Sequence, residues 1–231
     1  MKVKFKLKEF LPRVFLVTIK DDYDLAMTFC RLQEFYESPF KNIRGKAFDM
    51  YEFQRMYAKK FGQGTFTYPM DWVGFNVPGH VFDAFIGTTF LDWGNGYDFV
   101  IEDIYTNIAE YPSRKFYVIG SKPEDTDTIN HELCHALFYL DADYKNQALK
   151  SLRKLDKKLL SSATSYLLNV GYSRNSIKDE LQAYITTDDY MIFDNIKMNK
   201  KQRQNVSLVK NELKNIFFSK TENYLKKLKN K

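Results

Sequence analysis

Alternation opens the chain: Val3, Phe5 and Leu7 interleave with Lys2, Lys4, Lys6 and Lys8, the period-two pattern of a strand with one face in water. The run VFLVTI at residues 14–19 is β-branched and aromatic, and predicts a second strand. The period then lengthens. Leu25, Phe29, Leu32 and Tyr36 share one helical face and Pro39 follows, so residues 24–38 are expected to be a helix, with another over 46–61. Glycines, prolines and both tryptophans crowd residues 62–96, which read as loop-rich. Strand-like runs return at 97–105 and 115–119. From residue 125 onward the spacing is helical: 126–140, then 145–170 with a break at Ser161 and Ser162, then 177–187, then a C-terminal tail. A sheet-rich first half and a helix-rich second half predict an α+β fold.

The chain has 231 residues, 44 % hydrophobic and 28 % charged, which excludes disorder and fits one domain with a sizeable core. No apolar run approaches the roughly 18 residues of a membrane span, and the opening MKVKFKLKEF lacks a signal-peptide core, so a soluble, unprocessed, cytoplasmic protein is expected. Cys30 and Cys134 are the only cysteines and lie far apart, which excludes a disulfide-stapled scaffold and suits a reducing compartment.

Charge is distributed unevenly. The net +6 arises in residues 197–231, where 11 Lys and Arg face only Glu212 and Glu222; the other 196 residues sum to −3. Val206, Val209, Leu213, Ile216, Phe217, Tyr224 and Leu228 in this tail recur at spacings of three and four. Residues 1–196 are therefore expected to form the domain, and 197–231 a basic amphipathic helix packed on it. The alternative is a tail that touches anionic lipid or nucleic acid.

The candidate chemistry lies in His131, Glu132, Leu133, Cys134 and His135, which form HExxH inside a predicted helix. Histidines four apart project from one helical face, close enough to grip one metal ion, and the Glu lies beside them. The rest of the helix is apolar, with Ile129, Leu133, Ala136, Leu137, Phe138 and Leu140. Burying three ionisable groups there costs several kcal/mol unless each has a partner, and a divalent cation satisfies all three. Cys134 beside them reads as buried core.

A catalytic zinc takes three protein ligands, and three residues compete for the third place. His80 is the only other histidine but sits in a predicted loop; Asp141 falls six residues after His135, but at the end of a helix that carries it away. Glu180 lies within the apolar stripe of Ile177, Leu181, Tyr184 and Ile185, on a helix that Ser176 and Asp179 would open with a capping box. A carboxylate facing a core needs a cation, which favours Glu180.

HELCH followed 44 residues later by DELQAY resembles the zincin metallopeptidases, specifically the gluzincin branch with its downstream ExxA glutamate. Residues 117–184 are more loosely similar to small metallopeptidase-like proteins of bacteriophages and bacteria, which implies a cytoplasmic setting that extends to a virus-infected host cell. HELCHA also resembles the Spartan-type crosslink proteases, but those carry a third histidine after the motif, and none follows His135 here. The gluzincin resemblance implies a small mixed sheet whose edge strand, 115–119, lies beside the buried HExxH helix and binds extended peptide. It implies Zn²⁺ held by His131, His135 and Glu180, Glu132 as general base, and a peptide or protein substrate. Tyr184 stands where many gluzincins carry an Asp bracing a zinc-binding His, and is the expected stand-in. Tyr172, Tyr184 and Tyr190 are candidate oxyanion donors. Two other readings remain: a zincin-fold structural or interaction protein that binds metal with little turnover, and a nucleic-acid-associated protease that uses its basic tail.

Overall fold

The computed structural model describes residues 3–109, 115–187, 191–194 and 196–229. They form an α+β structure with a helical majority, divided into two compact units, Met1–Ile129 and Asn130–Lys231. No helix among the described residues is long and apolar enough to cross a membrane.

The first unit runs β1 (Phe5–Leu11), β2 (Val14–Ile19), α1 (Asp22–Glu37), α2 (Met50–Lys60), α3 (Tyr68–Asp71), β3 (Phe75–Pro78), α4 (Gly79–Trp93), α5 (Gly96–Ala109) and β4 (Tyr117–Ser121). Its four-stranded sheet has the order β1-β2-β4-β3, with β1/β2 and β3/β4 antiparallel and β2/β4 parallel, so the sheet is mixed as expected. The alternating strand β1 is an edge, with Lys4, Lys6 and Lys8 exposed, and the apolar β2 is interior. The strand expected at the sheet edge, 115–119, is instead interior: Val118 pairs with Phe15 on one side and with Val77 on the other. The edge next to it is β3, a short strand closed by Pro78, a residue that edge positions tolerate. Gly120 of β4 is a point of close approach, since a Cβ there would sit 2.4 Å from the ring of Phe29 on α1.

Two other expectations are corrected. Residues 97–105 are not a strand but part of α5. Asn95 Oδ1 accepts from the Tyr97 and Asp98 amides at its start, and Ile101, Ile104 and Ile108 form its buried face. The supposed loop 62–96 holds α3, β3 and α4. The core gathers Phe29, Phe53, Phe75, Phe82 and Phe85 with Tyr68. Within it Arg31 and Asp98 form a buried ion pair, and Arg31 also donates to the Phe48 carbonyl at 2.7 Å.

The second unit contains α6 (Thr126–Leu140, whose first four residues belong to the first unit), α7 (Ala142–Leu152), α8 (Lys157–Val170), α9 (Ile177–Thr186), α10 (Met191–Asp194) and α11 (Lys200–Lys229). The helix expected over 145–170 is two helices. They break at 153–156, where Asp156 caps α8 by accepting from the Lys158 and Leu159 amides, while Ser161 and Ser162 lie inside α8. The basic tail is helical as expected. It packs on α7 and α9 and buries Val206, Val209, Leu213 and Phe217, with Ile216 half-buried; the side chains of Tyr224 and Leu228 lie outside the described residues.

Candidate metal centre

Helices α6 and α9 bring the site together within the second unit. On α6 the four-residue spacing sets His131 and His135 on one face, with their Nε2 atoms 3.3 Å apart. On α9 the apolar residues Ile177, Leu181 and Ile185 are buried, and Glu180 is carried inward with them to 5 % exposure. Its Oε2 lies 3.7 Å from His135 Nε2. One donor atom from each of His131, His135 and Glu180 can be chosen so that all three lie within 4.8 Å of one another. Two ligands on one tetrahedral zinc at its usual bond lengths stand about 3.4 Å apart, so the 3.3 and 3.7 Å separations at His135 suit one small cation.

Both imidazoles are oriented. Asp179 Oδ1 accepts a hydrogen bond from His135 Nδ1 at 2.9 Å, which leaves Nε2 facing Glu180. Thr187 Oγ1 donates to the Ala183 carbonyl at 2.9 Å and so accepts from His131 Nδ1 at 3.3 Å. Each Nδ1–H is thereby engaged, which turns that ring's Nε2 toward the other donors. Behind Asp179 the order continues: Gln182 Nε2 donates to Asp179 Oδ1 at 3.1 Å, and the Tyr144 hydroxyl donates to Gln182 Oε1 at 2.7 Å, with Gln182 and Tyr144 both fully buried.

The two histidines are electrostatically unlike. Burial, aided by the neighbouring His135, pushes His131 down to about 3, so it is neutral at ordinary pH. Burial also opposes charge on His135, but Asp179, Glu180 and Glu132 outweigh it and hold this imidazole well above its ordinary value. In the metal-free protein these carboxylates favour the charged imidazolium of His135, which carries a proton on Nε2 as well as on Nδ1.

Glu132 is buried on α6 between the two histidines. Tyr184, expected to brace a zinc histidine, instead sets its ring against His131, with centroids 4.7 Å apart, and its hydroxyl 2.9 Å from that of Tyr172. The bracing falls to Asp179 and Thr187, neither expected in that role. Burial pushes the Tyr172 hydroxyl well above its ordinary value, and Glu180, Tyr184 and Glu132 add to the shift. Tyr190 lies outside the described residues.

The other two candidate ligands are not part of this cluster. His80 is an exposed residue at the start of α4, its ring 6.4 Å from that of Tyr36. Asp141 is not carried off on a continuing helix, because α6 ends at Leu140 and Asp141 caps α7: its Oδ1 accepts from the Tyr144 amide and its Oδ2 pairs with Lys220 at 3.0 Å. The capping box also fails to form, since Ser176 donates to the Ser173 carbonyl and Asp179 is turned to His135. Cys134 is fully buried, and burial pushes its thiol up, which keeps it protonated.

Set against known proteins, the chain matches no family model, no curated protein and no solved structure.

Proposed function

We propose that the chain is a zinc-dependent metallopeptidase of gluzincin type that hydrolyses peptide bonds in a peptide or protein substrate. The observation that carries this reading is the convergence of His131 Nε2, His135 Nε2 and Glu180 Oε2 from two helices, with each ring's Nδ1 held by its own acceptor. Two imidazole nitrogens and one carboxylate, with the carboxylate of Glu132 next in the chain to His131, are the residue set of a catalytic rather than a closed structural zinc site. Zinc bound there supplies Lewis acidity, which acidifies water and polarises a carbonyl.

The remaining work belongs to side chains. Glu132 takes the proton of the attacking water on its carboxylate and delivers it to the leaving amine. Asp179 and Thr187 fix the rings and prevent the histidines from turning their other nitrogen inward. Tyr172, kept protonated by burial and paired with Tyr184, is the hydroxyl offered to the developing oxyanion. A purely structural site has no use for Glu132, so that residue separates this reading from a metal-binding interaction protein.

The test is metal analysis of the purified protein together with cleavage of a quenched-peptide library. Near-stoichiometric zinc with turnover is expected for the native chain, and full zinc without turnover for Glu132→Gln. Native protein that holds zinc and cleaves nothing would make the site structural.

A further inference from the structure

A second feature of the Asn130–Lys231 unit is independent of the metal centre. This unit holds 19 Lys and Arg against 11 Asp and Glu, a net +8, whereas residues 1–129 sum to −2. The excess is concentrated where two segments are tied together. At the α7–α8 corner the Asp156 amide donates to Asn205 Oδ1 at 2.7 Å, Asn205 Nδ2 donates to the Lys154 carbonyl at 2.9 Å, and Gln202 Nε2 donates to Asp156 Oδ1 at 3.2 Å. These bonds tie the corner, which carries Arg153 and Lys157, to the first turn of α11, which carries Lys200, Lys201 and Arg203; Lys150 lies about one turn back on α7, and all six side chains are exposed.

The nearby acids are already engaged. Glu212 accepts from Lys154 Nζ at 2.7 Å and from Ser151 Oγ at 3.0 Å, and Asp156 is occupied as a helix cap. Asp156 offsets the positive end of α8, but α11 begins here with no acidic residue in its first turn, so the positive end of its dipole adds to the six cationic side chains. Like charges gathered at such a place repel one another, and a polyanion relieves that repulsion. An anionic membrane is the poorer fit, because interfacial helices need an outward apolar face. Here Val206 and Val209 are turned inward, and Leu208 is the one exposed large apolar side chain of α11's first three turns.

We infer that the α7–α8 corner and the start of α11 form a binding surface for the phosphate backbone of nucleic acid. It reads charge, not sequence, and needs neither metal nor turnover.

The test uses the full chain and labelled DNA and RNA duplexes of about 20 base pairs, followed by anisotropy across a salt series, with phosphatidylserine vesicles in parallel. Binding is expected with a dissociation constant on the order of micromolar at low salt and a steep salt dependence. The fourfold variant Lys150→Ala, Arg153→Ala, Lys200→Ala, Lys201→Ala should bind at least about tenfold more weakly, with a log–log salt slope shallower by about 3. A control with the same loss of charge, Lys4→Ala, Lys6→Ala, Lys8→Ala, Lys20→Ala, should bind as the native chain does. All eight side chains are exposed, so folding is not at stake, and circular dichroism checks it. Preference for DNA or RNA names the source of the phosphates. The inference is overturned by native protein that binds neither duplex, by equal loss in both variants, by no loss in the corner variant, or by binding to vesicles alone.

Discussion

His135 Nδ1 lies 2.9 Å from Asp179 Oδ1, and Asp179 immediately precedes the proposed ligand Glu180. One turn of α9 thus supplies both a candidate metal donor and the group that orients another candidate donor. Asp179→Ala removes the acceptor and leaves the ligand set intact. Outer partners of this kind are worth roughly 10–100-fold in metal affinity, and zinc titration against a competing chelator should show a loss of that size. An unchanged affinity would mean that Asp179 does not orient the ring.

The proton on His135 sets a pH dependence. Metal needs Nε2 free, so binding at neutral pH must displace the proton that Asp179, Glu180 and Glu132 retain in the metal-free protein; His131, neutral above about 3, releases none. Zinc affinity should therefore rise about tenfold per pH unit while His135 remains protonated. Calorimetry in buffers of different ionisation enthalpy should count about one proton released by His135 per zinc at pH 7.

Tyr172→Phe removes one hydroxyl beside Glu180 and Glu132 while leaving the three donors in place. If Tyr172 serves the oxyanion, kcat should fall by about 10²-fold with zinc content and KM nearly unchanged. A drop in zinc content instead would assign Tyr172 to holding Glu180.

In the first unit, Glu34 of α1 is 5 % exposed, and burial raises its carboxyl from near 4.5 to about 7 against the hydrogen bonds of Ser38 and Tyr68 and the charge of Lys60. The folded state holds this proton more tightly than the unfolded chain does. The stability it contributes is therefore complete below about 4.5 and is lost as pH rises through about 7. The loss is on the order of 3 kcal/mol. Urea denaturation should show the native chain losing stability relative to Glu34→Gln over that window; a gap that does not change with pH would contradict it.

Asp98→Asn tests the buried ion pair. Leaving Arg31 charged in the core should cost about 3–5 kcal/mol, since Asp98 also accepts from the Asn95 amide at the start of α5.

The clustering of His131, His135 and Glu180 was legible because its parts are periodic. Four residues separate the two histidines on one helix, and Glu180 interrupts an apolar stripe that has to face inward. Asp179 and Thr187 were not legible as ring partners, because their contacts with His135 and His131 span 44 and 56 residues and leave no local pattern. Asp179 in fact mimics a capping residue. The β-branched run Val100, Ile101, Ile104 looked extended, yet its capping asparagine and the spacing of Ile101, Ile104 and Ile108 make it a helix. The misplaced edge has a similar origin: Phe75–Pro78 is only four residues long and sits among glycines and prolines, so the neighbour that covers β4 was hidden.

The C-terminal helix carries a consequence for experimental design. Because Val206, Val209, Leu213 and Phe217 are interior and Lys220 ties down both Asp141 and Asp143, the segment is a wall of the molecule and not a detachable appendage. Shortening the gene to strip away its lysines would lay bare the faces of α7 and α9 that α11 covers, so a truncated product would confound lost charge with a collapsing helical unit.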